Sequence, residues 1–253
     1  MKRLVLLALP ILLGAAPAPH WVRIFDGKTL NGWTPKIAGR ALGEDPLHMF
    51  IVQDGAIRVS HANYARFDGE FGHLFWKTPV GAYRVRFEYR IFGDPLPGGK
   101  VWQVSNSGIM LHSQAPETMR RDQDFPVSLE MQLLGTPRPA EEPTGNLCTP
   151  GTTVVIDGKR DLRHCILSSA PKIPNGQWVK VEVAVLPSGE ITHFINGKAV
   201  LHYSGAELDP ADADARPLIA AAGGSLTLRR GYLALQSEGH QIEFRNIELR
   251  VLD

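Results

Sequence analysis

NSGIMLHSQAPETMRRDQDFPVSLEMQLLG, residues Asn106 to Gly135, is the most informative segment of the chain. It holds two β-like runs, Ser107 to Ser113 and Phe125 to Leu134. The polar connection between them starts with Gln114-Ala115-Pro116 and carries Arg120, Arg121, Asp122 and Asp124. In the second run Leu129, Met131 and Leu133 alternate with Glu130, Gln132 and Leu134. In the first, His112 has the parity of Asn106, Gly108 and Met110. A strand sends alternate side chains to opposite faces, so Glu130 and Gln132 share one face while the apolar set packs on the other. Polar groups in the middle of a buried sheet are either paired or line a wet cavity, which makes this face the first candidate site.

The same period extends outward along the chain. Tyr83, Val85, Phe87, Tyr89 and Ile91 alternate with Arg84, Arg86, Glu88 and Arg90, one face buried and one exposed. Trp178 to Leu186, Glu190 to Ile195 and Lys198 to Tyr203 form a meander closed by Pro187-Ser188-Gly189 and Asn196-Gly197. Asn-Gly between alternating runs is a strong hairpin signal, and Asp54-Gly55 joins Phe50 to Gln53 with Ala56 to Ser60 in the same way. His73 to Lys77, Gly231 to Ser237 and Gln241 to Leu252 read as further strands. Thr136 to Gly151, with four prolines and no period, reads as a long surface loop, and Glu207 to Ser225 as a loop with one helical turn. No sustained helical period or fixed repeat appears. The expected fold is all-β, a two-sheet antiparallel β-sandwich or jelly roll with a polar cleft.

Residues 1–19 stand apart: Lys2-Arg3, an apolar run from Leu4 to Leu13, then small residues. That pattern reads as a signal peptide, too short to span a bilayer, which predicts an exported chain, periplasmic or secreted, with residues 20–253 as one domain. Loss of Lys2 and Arg3 turns the net charge of +1 into −1, which offers no basic field for nucleic acid. In an oxidising compartment the two cysteines, Cys148 and Cys165, are expected to form a disulfide worth about 3 kcal/mol, the alternative being two buried thiols.

Several motifs together resemble the 3-keto-disaccharide hydrolase-like family. They are FDGKTLNGW at Phe25 to Trp33, NSGI at Asn106 to Ile109, Glu130-x-Gln132, the Trp178 to Lys198 meander, and the closing GYLALQSEGHQIEFRNIEL. The resemblance covers nearly all of the chain after residue 19. It implies a concanavalin A-like sandwich and a carbohydrate ligand modified to a ketone at C3.

Glucanases on similar sandwiches carry E-x-D-x-x-E on one strand. Here the matching run, Glu130 to Gly135, holds one carboxylate, whereas ordinary glycoside hydrolysis needs two flanking the bond. A 3-keto group changes the requirement, because it acidifies the C2 proton: one base removes that proton, a donor stabilises the enolate, and the C1 substituent leaves. Glu130, His112 and His193 are the candidate base and acid. Lys77 and Arg66 are candidate stabilisers, and Asn106, Gln132 and Gln236 candidate holders of sugar hydroxyls. Against each stands a structural role: Glu130 paired to an arginine, the histidines as satisfied core residues. No cofactor is required by the sequence; it shows no local zinc motif and leaves a divalent ion open. The competing reading is a carbohydrate-binding sandwich without catalysis, and the two differ in whether His112, Glu130 and His193 converge.

Overall fold

The computed structural model describes residues 20–252, so the export-signal expectation for residues 1–19 lies outside the described residues. Two antiparallel sheets pack face to face. The larger has ten strands: in spatial order Lys159–Asp161, Thr152–Ile156, Lys198–Leu208, Ile191–Ile195, Val179–Val185, Tyr83–Ile91, Ile242–Val251, Ala56–Val59 and Phe50–Gln53, with Val22–Arg23 also pairing Ile242–Val251. The smaller has seven, in the order Cys165–Ile166, Asn146–Cys148, Leu129–Leu134, Asn106–Ser113, Tyr232–Ser237, Gly72–Trp76 and Trp33–Ile37.

The alternation read from the sequence is what closes the sandwich. Tyr83, Val85, Phe87, Tyr89 and Ile91 enter one core cluster with Ile109, Leu111, Leu129, Met131 and Leu133 from the opposite sheet. Full burial of each such side chain contributes ~1.5–3 kcal/mol. Their polar neighbours meet across strands on the outer face, where Glu243 pairs with both Arg58 and Arg90, and Arg245 with Glu88 at 2.7 Å. Both hairpin turns have the positive φ pair that their right-handed twist requires, 51° and 77° at Asp54-Gly55, 49° and 80° at Asn196-Gly197.

Two segments depart from the sequence reading. Thr136 to Gly151 is not loop throughout, because Asn146–Cys148 is a fully buried strand paired with Leu129–Leu134. Three residues are too few to show a period among four prolines. Trp33–Ile37 is also a strand, despite Pro35, because it lies at the edge of its sheet, where a missing N–H leaves no partner unsatisfied. The helix expected as one turn is Ala215–Ala221. Among the described residues no helix is long and apolar enough to cross a membrane. Cys148 and Cys165 are directly opposed and form the expected disulfide, which ties the end of the proline-rich segment to the sheet edge.

Candidate functional site

Register assembles the site on the face of the smaller sheet that points away from the core. Glu130 lies opposite Met110 and Cys148, and Gln132 lies opposite Gly108 and Asn146. Gln236 lies opposite His73, which in turn lies opposite Lys36. Six adjacent strands thus present Asn146, Gln132, Gly108, Gln236, His73 and Lys36 in one row, in which the glycine leaves a gap. The gap has a use. A Cβ at position 108 would stand 2.5 Å from Glu130 Oε1 and 2.8 Å from its Cγ, so the Glu130 side chain lies across the neighbouring strand over the glycine. This close approach accounts for the glycine in NSGI.

Above this row is a cleft of about 400 Å³, walled by Glu130, Gln132, Asn106 and Glu238, by Arg138 and Glu142 of the proline-rich segment, by Trp102 and Phe125, and by the disulfide. Glu238 follows directly on the Tyr232–Ser237 strand and has the parity of Gln236, so it falls on the cleft side. Glu130 is 5% exposed and Glu238 3%. Burial pushes the Glu130 carboxyl well above the usual carboxylate range. Burial also raises Glu238, the Glu130 charge raises it further, and Arg138 and Gln236 draw it back. Two buried carboxyl groups this close resist ionising together.

Many polar atoms here have no hydrogen-bond partner within the protein. In the cleft lining they are Glu130 Oε1, Glu238 Oε2, Asn106 Oδ1, and Arg138 Nε and Nη1; both ring nitrogens of His73, in the row beside it, are unpaired as well. The Gln236 amide, near enough to Glu238 to favour its ionised form, also lies outside hydrogen-bond geometry. Each such group costs ~1–3 kcal/mol when buried and unpaired. Their concentration in one cleft is the mark of a site that waits on a ligand. The structural role weighed for Glu130, an arginine partner, is not what the structure shows: its Oε1 is unpaired. Other polar groups in the cleft are held firmly. Gln132 Oε1 accepts from Asn146 Nδ2 at 3.0 Å, Asn106 Nδ2 donates to the Trp102 carbonyl at 3.2 Å, and Arg138 pairs with Glu142 at 3.0 Å. Beside them His240 Nδ1 accepts from the Ser105 N–H at 2.8 Å and Nε2 donates to the Gly93 carbonyl at 3.1 Å, which pins the backbone entering Asn106.

The expected convergence of His112, Glu130 and His193 does not occur. His112 has the right parity, but its φ of 46° and the register shift beside it turn the ring away. It donates from Nε2 to the Gly81 carbonyl at 3.0 Å, packs edge-on against Tyr83, and borders a different cavity that shares no residue with the cleft. His193 belongs to the larger sheet, fully buried, donating from Nδ1 to the Gly145 carbonyl at 3.0 Å and accepting from Tyr203 Oη at 2.9 Å. Lys77 is exposed just past the Gly72–Trp76 strand, its Nζ 5.4 Å from the Trp76 ring centre, and Arg66 is exposed against Gly98; neither lines the cleft. Of the other candidates, Asn106, Gln132 and Gln236 do share the Glu130 face. Glu238, Arg138 and His73 escaped the sequence reading. Continuing the Gln236 parity one step past the strand finds Glu238, and the parity of Phe75 finds His73. Arg138, in an aperiodic segment, leaves no such trace. Among the described residues no group of three or more His, Cys, Asp or Glu side chains has the geometry to hold a metal ion.

The buried imidazoles set an acid limit. Burial lowers His193 to about 4, and burial with the nearby Lys36 charge lowers His73 to about 3, so both are neutral in the folded protein and protonate more readily when it unfolds. The stability each confers is present above the ordinary value near 6.5 and is lost as pH falls from there toward those values, at up to about 1.4 kcal/mol per pH unit. In urea unfolding at pH 7 and pH 5, His193→Gln is expected to lose less stability between the two than the wild type does. Equal losses would contradict the buried neutral imidazole.

The sequence profile of the 3-keto-alpha-glucoside-1,2-lyase-like domain matches residues 20–250. A 3-keto-disaccharide hydrolase of Bacteroides thetaiotaomicron is 26% identical over 255 residues, covering 93% of this chain and 80% of that protein. The fold is similar to that of a candidate glycosyl hydrolase of Parabacteroides distasonis, with a TM-score of 0.53 and 19% identity over 92% of this chain and 94% of the other. It is also similar to the Bacillus licheniformis β-glucanase, with a TM-score of 0.51 and 8% identity over 94% and 100% of the two chains.

Proposed function

The chain belongs to the 3-keto-alpha-glucoside-1,2-lyase-like domain family, and on that footing we propose that it is an exported enzyme that cleaves 3-keto-glycosides by taking the C2 proton and expelling the C1 substituent. The observation that carries this reading is the buried Glu130–Glu238 pair. A C2 proton beside a ketone is acidic enough for a single carboxylate of raised basicity to remove. Two carboxyl groups that resist joint ionisation hold one proton between them and so supply base and acid together.

The ionised member takes the proton from C2, the C1–O bond breaks, and the C2–H electrons form a C1=C2 double bond. The protonated member gives its proton to the departing oxygen. The pair still carries one proton, now on the opposite partner. Water adds by the same steps in reverse: the newly ionised member takes a proton from water as its oxygen bonds C1, and the other returns a proton to C2. Base and acid are therefore properties of the pair rather than of either residue. Arg138, with Nε and Nη1 unpaired, stands to stabilise the enolate oxygen at C3, and Asn106, Gln132 and Gln236 to hold hydroxyls. The Cys148–Cys165 disulfide supports an oxidising compartment and hence export.

The separation of His112 and His193 from the cleft favours a second reading, a sugar-binding sandwich without catalysis. One panel separates the two: purified protein with 3-keto-glycosides and their unoxidised parents, with and without chelator. The enzyme reading expects turnover of the keto-sugars alone; binding without turnover supports the second reading. Loss of turnover on chelation would assign a divalent ion to the reaction.

A further inference from the structure

Trp102 is held in a manner unlike a stray surface aromatic. It sits in the short 3-10 turn Val101–Gln103 at the rim of the cleft and is 40% exposed, while Glu130 and Glu238 at the floor are almost fully buried. Its ring lies parallel to Phe71, interplanar angle 1° and centroids 6.1 Å apart, and Phe71 in turn packs on Phe125 at 4.7 Å. Its carbonyl accepts from Asn106 Nδ2 at 3.2 Å, and Arg138 Nη2 lies 3.5 Å from the same oxygen. Gln103 of the same turn donates to the Glu238 carbonyl at 3.0 Å. The turn is thus fastened to three residues of the cleft, and the Trp102 ring stands part-exposed at its mouth with the Lys100 Nζ 6.0 Å from the ring centre. A fixed exposed aromatic of this kind in a cleft is a ring-stacking platform.

The depth of each group decides what stacks there. A sugar undergoing loss of its C2 proton must place C2 and C1 against the buried carboxyl pair, so its ring fills the polar floor. The C1 substituent has to point toward the mouth, through which it departs, and Trp102 stands at that mouth. Resting on the cleavage reading above, we propose that Trp102 is the platform for the departing group, and that the preferred substrates carry there a ring with an apolar face, either a second pyranose or an aryl group.

The test compares Trp102→Ala and Trp102→Phe with the wild type on three 3-keto-glycosides that differ at C1: a disaccharide, an aryl glycoside and the methyl glycoside. Comparison within each substrate cancels the differing reactivities of the departing groups. Trp102→Ala is expected to lower kcat/KM about tenfold, through KM, for whichever ring-bearing substrates stack. The methyl glycoside should stay within about twofold, and Trp102→Phe should recover most of the loss. A loss confined to the disaccharide or to the aryl glycoside identifies which ring is preferred. Equal losses on all three, or none on any, overturn the proposal. If the wild type turns over none of them, the cleavage reading falls, and calorimetric binding of the same three glycosides decides the platform: Trp102→Ala must weaken at least one ring-bearing ligand and spare the methyl glycoside.

Discussion

Glu130→Gln is expected to lower kcat/KM on a 3-keto-glycoside by about 10²–10⁴-fold, the usual worth of acid–base assistance, while making the protein more stable at pH 8. The two effects share one cause. Burial raises the Glu130 carboxyl, so the folded protein retains a proton that the unfolded chain gives up. Its stabilising contribution is full below the ordinary glutamate range and is lost as pH rises through the raised folded value. An amide of the same shape has no charge to bury and avoids that loss. Urea unfolding and steady-state kinetics on one preparation check both halves. A stability gain without loss of turnover would remove Glu130 from the chemistry, and a loss of turnover with reduced stability at pH 8 would mean that the carboxyl is a structural partner after all.

Gly108→Ala is expected to cost about 10²-fold in turnover without replacing a titratable group. The added Cβ would meet Glu130 at three atoms, Oε1 at 2.5 Å, Cγ at 2.8 Å and Cδ at 3.0 Å, so the whole end of that side chain must move. A displacement of about 1 Å at a reacting group is enough for a loss of that size. The backbone at Gly108 has no positive φ, so alanine is tolerated by the strand itself and unfolding should change little. The effect should also vanish in combination: Gly108→Ala with Glu130→Gln should be no slower than Glu130→Gln alone, because the methyl group acts only through the carboxylate. An additive loss in the double variant would show that Gly108 matters for another reason.

The larger features were legible in the sequence because the period of two is a property of each strand by itself. The Tyr83 to Ile91 and Leu129 to Leu134 alternations placed their residues on the correct faces, and Asn196-Gly197 and Asp54-Gly55 fixed their hairpins. The disulfide followed from compartment and count. Long-range register was not legible. That Glu238 would lie beside Glu130 depends on the Leu129–Leu134 and Tyr232–Ser237 strands pairing with opposite sides of Asn106–Ser113 in matching register, and nothing near Glu238 signals it. His112 shows the reverse failure: its parity pointed to the cleft, and a single residue at positive φ sent it elsewhere. The mid-strand setting of His193 among Ile191 and Ile195 was visible, and the structure places that apolar face in the core rather than on a site.

Cleavage that begins with loss of the C2 proton can be followed with a 3-keto-disaccharide carrying deuterium at C2, in competition with its protium form and in the presence of the unoxidised parent. Only the keto-sugars should be cleaved, the deuterated one should react more slowly in kcat/KM, and Glu130→Gln should depress cleavage of both. Equal rates for the two isotopic forms with the label fully retained at C2, or cleavage of the unoxidised parent at a matching rate, would contradict loss of the C2 proton as the first step.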